Sequence, residues 1–148
     1  MKIQELGHVV LYVSSLEEQA SFYKDVLGFE EVHRDAHIAL FSGGRTHHEL
    51  LLIEIGTQKR SRDEVYVPKV GLYHIGFKVG NSTEELRAVY KELQAQGVQI
   101  LGMTDHHVTH SLYILDKDNN ELELYVDVSD EWKRDKKAII KEAKRLYL

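Results

Sequence analysis

Three polar residues lie at matching places in apolar runs of strand length in this 148-residue chain. His8 and His74 each stand at the start of such a run, and Glu123 lies inside another, over residues 121–126. Two imidazoles and one carboxylate hold a non-haem Fe(II) on one face and leave the other coordination positions open to substrate and oxygen. If these three side chains converge, the sequence predicts a metalloenzyme.

The alternation of residues along these runs places the three side chains on one side of a sheet, because successive side chains of a strand point to opposite faces. In each run three apolar residues occupy one face and the candidate ligand the other, which in the first run also holds Val10 and Tyr12. The three apolar residues are Val9, Leu11 and Val13, then Ile75, Phe77 and Val79, and finally Leu122, Leu124 and Val126. Helices covering the aliphatic faces would leave His8, His74 and Glu123 together on a concave face.

An internal repeat organises the chain into two halves. Each half has a strand, a Ser/Asn/Thr helix cap with acidic residues in the first turn, an amphipathic helix and a terminating glycine, Gly28 or Gly97. Further strands are predicted at residues 30–33, 37–41 and 48–55, and again at 99–103, 111–115 and 121–126. A lone histidine at a strand end is an ordinary polar residue, but two at equivalent repeat positions favour a shared site.

The repeat predicts an α+β fold in which two βαβββ modules form an eight-stranded, cupped mixed sheet with helices on the outer face. We expect a single domain with module 1 at about residues 5–56, a polar linker at 57–70 and module 2 at about 71–128. Residues 130–148 have the pattern of an amphipathic helix. This helix would cover a sheet edge or pack on a partner subunit; a lid over the cleft is a third use of it.

Composition limits the classes of partner. The formal charge of −5 argues against a general nucleic-acid binder, because the chain has no basic excess to neutralise phosphates. The absence of cysteine excludes disulfides, thiolate metal sites and cysteine nucleophiles. No apolar run approaches the length of a membrane span, and no signal segment opens the sequence. We therefore expect a cytoplasmic protein with no membrane or nucleic-acid partner.

One segment resembles a known family. Residues 113–125 read Tyr-Ile-Leu-Asp-Lys-Asp-Asn-Asn-Glu-Leu-Glu-Leu-Tyr. They are similar to the Asp-Pro-Asp-Gly-Asn-x-Ile-Glu-Leu-Tyr hairpin of the vicinal oxygen chelate superfamily, which includes glyoxalase I, extradiol dioxygenases, methylmalonyl-CoA epimerase, and bleomycin and fosfomycin resistance proteins. Lys117 replaces the usual Pro and Asn119 the usual Gly, and Asn tolerates the left-handed conformation of a tight turn. The resemblance covers about residues 5–128.

Two further segments resemble the extradiol enzymes of that superfamily, and most of all single-domain catechol 2,3-dioxygenase-like proteins. Residues 46–50 resemble a His-His-x-aliphatic segment whose second histidine, here His48, is the acid–base residue. Residues 105–109 are similar to an Asp-His-Gly-Val-Ser segment whose histidine hydrogen-bonds substrate and oxygen. His107 replaces the Gly, so either His106 or His107 faces the site, and we favour His106. Tyr113 falls where those enzymes place a tyrosine against the catechol oxygen.

The resemblance implies an Fe(II)-dependent extradiol dioxygenase that takes a small aromatic diol and O2 as its partners. His8, His74 and Glu123 would bind Fe(II), and Mn(II) would suit the same ligands. Either His48 or Tyr113 would accept or stabilise the proton that the diol releases, and His106 would stabilise the reduced oxygen. A homodimer or higher oligomer is expected, because one paired module is small beside the two-domain extradiol enzymes.

Two other classes of function stay open, because a superfamily does not fix a reaction. The first is a non-redox metal enzyme of the glyoxalase, isomerase or epimerase kind, with Glu49 or Glu54 as a fourth ligand. The second is a bleomycin-resistance-like binding protein, against which the complete ligand set argues. Four other histidines are expected to be structural or solvent-facing: His33, His37, His47 and His110. The identity of the diol is open.

Overall fold

Each half of the chain folds as a βαβββ module in the computed structural model, which describes all residues from 1 to 148. The chain divides into two units, one of Met1–Arg62 with Lys117–Asn119, and one of Asp63–Asp116 with Asn120–Leu148. The two βαβββ modules and the α+β class are confirmed. The strands form two mixed sheets, of four and five strands, whereas the sequence predicts one sheet of eight.

The first unit contains a four-stranded sheet and one helix. Its elements are β1 (Val9–Val13), α1 (Leu16–Ser21) with a π-helical turn at Phe22–Val26, β2 (Glu30–Arg34), β3 (Ile38–Ser42) and β4 (Leu50–Glu54). The strand order is β1-β4-β3-β2, with β1 and β4 parallel and the other pairs antiparallel. The helix α1 packs on β3 and β4, so one face of this sheet is covered.

The second unit repeats this arrangement and adds a strand. Its elements are β5 (His74–Gly80), α3 (Thr83–Ala95), β6 (Ile100–Asp105), β7 (Thr109–Leu115), β8 (Glu121–Asp127) and β9 (Lys144–Arg145), after a short helix α2 (Arg62–Val65) in the predicted linker. The order is β5-β8-β7-β6-β9, with β5 and β8 parallel. The helix α3 packs on β5, β7 and β8.

Local signals fix the ends of the two main helices as predicted. The hydroxyl of Ser15 accepts a hydrogen bond from the Glu18 backbone N–H, and Ser82 accepts one from Glu85. Such caps satisfy N–H groups that have no partner within the helix. Gly97, after α3, has a φ of 70°, which glycine adopts without the steric cost that other residues meet.

The predicted alternation of buried and exposed side chains is clearest in β1 and β8. Leu11 and Val13 of β1 are buried, as are all three aliphatic residues of β8, whereas Val9, Phe77 and Val79 are half-buried. Burial of each such side chain contributes roughly 1.5–3 kcal/mol, which fixes the face that each strand turns to its helix. The candidate ligands lie on the opposite faces of these strands.

The prediction of a helix over residues 130–148 is wrong. The segment forms two short 3-10 turns, Glu131–Lys133 and Ala138–Ile140, and ends in β9, which pairs antiparallel with β6. Asp135 accepts a hydrogen bond from the Lys137 backbone N–H, and such local bonds compete with helix formation. Contacts with the unit decide the conformation, since Ala138 and Leu146 are buried. The end of the segment lies at an edge of the second sheet, as a strand paired with β6 and not as the helix that the sequence predicts.

None of the helices has the length and apolar character required to cross a bilayer.

Candidate metal centre and its surroundings

The parallel pairing of β5 and β8 brings two of the predicted ligands together. His74 is the first residue of β5, and the register sets Gly76 of that strand opposite Glu123. The His74 Nε2 atom lies 3.2 Å from Glu123 Oε2. A Cβ atom at Gly76 would lie 3.6 Å from the same carboxylate oxygen, so a long side chain there would crowd it. Glycine leaves the pair of donor atoms accessible.

A chain of hydrogen bonds extends from this pair to two more predicted residues. Tyr113 lies opposite Glu123 in the antiparallel β7–β8 pair and donates its hydroxyl proton to Glu123 Oε1 at 3.1 Å. His106 Nε2 lies 2.9 Å from the Tyr113 hydroxyl oxygen. A tyrosine has one hydroxyl proton. Since Glu123 receives it, His106 Nε2 must donate its own hydrogen to the Tyr113 oxygen.

The surroundings keep the Tyr113 phenol protonated. Burial raises its pKa well above the ordinary value, and the negative charge of Glu123 raises it further, because both effects disfavour a phenolate. The ring of Tyr113 also packs edge-on against His74, with centroids 5.9 Å apart. Tyr113 is therefore a hydrogen-bond donor at neutral pH.

A cavity of about 760 Å³ in the second unit is lined by His74, His106, Tyr113 and Glu123. Its volume lies within the range of roughly 300–1,000 Å³ that is usual for small-molecule sites. The other lining residues are Val108, Thr109, Tyr125, Asp127, Trp132, Lys136 and Ile139. The cavity thus combines a polar cluster with aromatic and aliphatic walls.

The structure distinguishes His106 from His107. His106 lines the cavity, whereas His107 Nε2 lies 2.7 Å from Glu131 Oε2 and 2.9 Å from Lys141 Nζ, in the C-terminal segment. His107 has a φ of 71°, the left-handed conformation that a glycine adopts readily. This conformation turns the two neighbouring imidazoles in different directions.

Sequence reasoning missed the residues behind His74. The Glu121 carboxylate, 10% exposed, lies 3.5 Å from His74 Nδ1, and that buried nitrogen has no hydrogen-bond partner. Burial and a hydrogen bond to Glu121 raise the pKa of the Tyr73 hydroxyl. The signal was present in the sequence, because Glu121 and Glu123 are two residues apart in one strand and therefore share a face.

The first unit groups the remaining predicted residues near the start of β1. His8 directly precedes β1, and its ring centroid is 4.6 Å from that of His48. His48 Nδ1 lies 2.6 Å from His47 Nδ1. Burial lowers the pKa of His48, and the charges of His47 and His8 lower it further. The lowered pKa favours the neutral form of the His48 imidazole, which is the form that accepts a proton.

Both carboxylates named as a fourth ligand are bound to backbone amides of the first unit. Glu49 accepts hydrogen bonds from the N–H groups of Gly43, Arg45 and Thr46, at 2.8–3.1 Å. Glu54 Oε2 accepts one from the Leu16 N–H, at the start of α1, at 2.6 Å. Each carboxylate therefore has a structural role in the first unit.

The donor atoms present suit a divalent metal of the iron type. His74 Nε2 and Glu123 Oε2 are a nitrogen and an oxygen donor that face each other. The other ring nitrogen of His74, Nδ1, is buried without a hydrogen-bond partner and lies near the Glu121 carboxylate. Imidazole and carboxylate ligands fit Fe(II) and Mn(II). Neither unit by itself groups three His, Asp or Glu side chains in a way that could hold a metal ion.

The sequence matches a family model as well. Residues 5–124 match the model of the Glyoxalase/Bleomycin resistance protein/Dioxygenase superfamily. The chain belongs to this superfamily. It is 31% identical over 138 residues to catechol-2,3-dioxygenase of Bacillus subtilis (strain 168). That match covers 90% of this chain and 45% of the Bacillus subtilis protein. It is 30% identical over 122 residues to biphenyl-2,3-diol 1,2-dioxygenase 3 of Rhodococcus globerulus, covering 82% of the chain and 63% of that protein.

The fold of this superfamily is also found among solved structures. The crystal structure of lactoylglutathione lyase from Agrobacterium tumefaciens superposes with a TM-score of 0.66 at 23% identity, over 85% of this chain and 96% of that one. This likeness confirms the fold. The chain spans about half to two thirds of the length of the two dioxygenases that it matches.

Proposed function

We propose that this protein is an Fe(II)-dependent extradiol dioxygenase that opens the ring of an aromatic diol, with His8, His74 and Glu123 as metal ligands. The hydrogen-bonded chain from His106 through Tyr113 to Glu123 is the observation that supports this most. It provides an imidazole donor and a phenol beside the two candidate ligands of the second unit. The names of the two curated dioxygenases that the chain resembles favour the same reaction.

The third ligand is proposed from the repeat. His8 immediately precedes β1, and His74 begins β5, so the two imidazoles have equivalent positions in the two modules. In the first module Leu51 of β4 lies opposite Val10, at the place that Glu123 occupies in the second module. The repeat therefore has one carboxylate and two imidazoles at these positions, which is the set that suits Fe(II).

Bound Fe(II) would acidify the diol hydroxyl groups and activate O2, as a Lewis-acidic, redox-active centre with open positions does. His48, whose lowered pKa favours the neutral form, would accept the proton that a diol hydroxyl releases. Tyr113 stays protonated, and when substrate binds it would turn its one hydroxyl hydrogen from Glu123 to a substrate oxygen. His106 Nε2 would in turn move its hydrogen from Tyr113 to oxygen on which negative charge develops. Both atoms of O2 enter the product of ring opening, so no external reductant is consumed.

The engagement of Glu49 and Glu54 with backbone amides favours this reaction over the glyoxalase and epimerase alternative. That alternative requires a fourth protein ligand, and both candidate carboxylates already accept hydrogen bonds from backbone N–H groups of the first unit. Three protein ligands leave more coordination positions for a bidentate diol and O2. Mn(II) would serve the same ligand set.

Oxygen uptake by anaerobically Fe(II)-loaded protein tests the proposal. With a panel of substituted catechols, we expect one O2 consumed per diol and a yellow ring-opened product. His8→Ala and Glu123→Ala should abolish uptake, and Tyr113→Phe should lower kcat by roughly 10²–10³, the cost of removing one donor to developing charge. His37→Ala, an exposed histidine of the first unit, is the matched control and should leave the rate unchanged.

Absence of oxygen uptake from protein shown to contain iron would contradict the dioxygenase. Isomerisation or glyoxalase activity with Ni(II) or Co(II) would then identify the alternative. Uptake that survives in Glu123→Ala would contradict the ligand assignment.

A further inference from the structure

The C-terminal segment, defined here as residues 129–148, forms one wall of the cavity in the second unit. Its side chains Trp132, Lys136 and Ile139 line the same cavity as His74 and Glu123. A substituent on a substrate bound beside that pair would therefore contact this segment. The family model ends at residue 124, so the wall lies outside the part of the chain that defines the superfamily.

Several contacts within the second unit hold this wall in place. Glu131 Oε2 lies 2.7 Å from His107 Nε2, and Glu131 Oε1 accepts a hydrogen bond from Lys141 Nζ at 2.7 Å. The pairing of β9 with β6 fixes the end of the segment, and Ala138 and Leu146 are buried. Because it is anchored at both ends, the wall presents its side chains at defined positions.

The charges that line the cavity are not balanced. Asp127 is neutralised by Lys78, whose Nζ lies 2.6 Å from its Oδ2, and Glu123 is engaged by His74 and Tyr113. Lys136 is exposed and makes no hydrogen bond or ion pair with another side chain. Its ammonium group is thus an uncompensated positive charge at the edge of the cavity.

We propose that the preferred substrate is an aromatic diol whose ring substituent ends in a carboxylate, and that Lys136 is the residue that selects it. This inference rests on the proposed dioxygenase function. The cavity of about 760 Å³ has room for a substituent as well as a ring. Trp132 and Ile139 supply apolar surface for the ring and the substituent, and the Lys136 ammonium pairs with the terminal carboxylate.

Equilibrium binding tests the selection without turnover. Trp132 is the single tryptophan of the chain and lines the cavity, so its fluorescence reports occupancy directly. Anaerobic, metal-loaded protein is titrated with 3,4-dihydroxyphenylacetate and with 4-ethylcatechol, a neutral diol of similar size. We expect the carboxylate diol to bind about fivefold more tightly, the size of a partly exposed ion pair. The preference should shrink as salt is added.

Two neutralised variants isolate the role of Lys136. Lys136→Gln should remove the preference for the carboxylate diol and leave the Kd of 4-ethylcatechol unchanged. Lys137→Gln removes the same charge from the next residue, which is exposed and outside the cavity lining, and should keep the preference. The pair of variants separates a specific contact from the general field of the segment.

The inference is overturned if wild-type protein binds the two diols equally, or if Lys136→Gln keeps the preference. Equal weakening of both diols in Lys136→Gln would also overturn it, because the ammonium would then act on the ring by a cation–π contact. Oxygen uptake distinguishes the two proposals. Cleavage of both diols without preference would leave the dioxygenase intact and the selection wrong. Selective binding without oxygen uptake would leave anion recognition intact and the reaction wrong.

Discussion

At the residue scale, two departures from the superfamily pattern are explained by the backbone. His107 and Asn119 stand where the resembling motifs have glycine, and both adopt positive φ, 71° and 63°. Asn and His are the non-glycine residues that accept this region more readily than most. The substitution at residue 107 has a consequence, because its imidazole binds Glu131 of the C-terminal segment. A glycine there would make the turn but could not make this contact.

Glu121 is predicted to orient His74 for metal binding. Its carboxylate lies 3.5 Å from His74 Nδ1, and a carboxylate behind a ligating histidine fixes the ring tautomer and raises its basicity. We expect Glu121→Gln to weaken binding of Co(II) by roughly 10–100-fold, the usual effect of losing such a partner. Competition with a chelating dye measures this affinity without any enzymatic assay.

An exposed glutamate provides the control for this prediction. Glu92→Gln, on the solvent side of α3, removes the same charge from the second unit and should leave the metal affinity unchanged. The melting temperature of the metal-free protein should be similar for both variants. If Glu121→Gln binds Co(II) as tightly as the wild type, Glu121 does not orient His74.

At the element scale, the connection between β3 and β4 depends on one carboxylate. Glu49 accepts three backbone hydrogen bonds from residues 43–46, so this loop is organised without regular secondary structure. Burial alone would raise the pKa of Glu49, but hydrogen bonds from Gly43, the Ser42 hydroxyl and the N–H groups of Thr46 and Arg45 together lower it. The loop leads directly to His47 and His48.

Glu49→Gln is therefore predicted to destabilise the protein by roughly 1.5–3 kcal/mol, the range for hydrogen bonds to a charged group. Because the folded-state pKa lies below the ordinary value of 4.5, this stabilisation is complete above pH 4.5 and is lost as the pH falls through the folded-state pKa. Urea unfolding should show a difference in the free energy of unfolding between wild type and Glu49→Gln, and this difference should become smaller in acid. Glu5→Gln, an exposed partner of Arg45, should change stability by less than about 1 kcal/mol. If the difference in unfolding free energy between wild type and Glu49→Gln does not change with pH, the ionised Glu49 carboxylate is not the source of the stability.

The sequence predicts elements best where local signals and burial agree. In β5 and β8 apolar residues alternate with other residues, and the Ser15 and Ser82 caps are read directly from side-chain chemistry. The predicted helix over residues 130–148 does not form, because contacts with residues distant in sequence outweigh the helical spacing of the apolar side chains in this segment. Neither the pairing of β9 with β6 nor the bond between Glu131 and His107 can be inferred from spacing in the segment.

The same difference explains what could be predicted of the site. His74, Glu123 and Tyr113 lie on regular strands, so parity and register bring them together as the sequence suggests. The cavity wall of Trp132, Lys136 and Ile139 belongs to an irregular segment, for which the sequence offers no periodicity. The selectivity that we propose therefore depends on the part of the chain that sequence patterns describe least.

At the scale of the whole molecule, the proposed ligands come from both halves of the repeat. His8 belongs to the first unit and His74 and Glu123 to the second. At the position equivalent to Glu123 the first module has Leu51. The first module therefore has no carboxylate ligand at this position. In the proposed ligand set the first module supplies one histidine and the second supplies a histidine and a glutamate. This predicts one metal per chain.

Metal binding should therefore stabilise the whole chain and depend on a residue of each unit. A ligand that binds only the folded state at about 100 times its Kd adds about 2.7 kcal/mol, which for a chain of this length raises Tm by roughly 5–10 °C. Anaerobic thermal melting with Fe(II) or Co(II) measures the shift. His8→Ala and Glu123→Ala should each lose most of it, whereas His37→Ala should keep it. A full shift in His8→Ala would mean that the second unit binds the metal without the first, and the three-residue ligand set would be wrong.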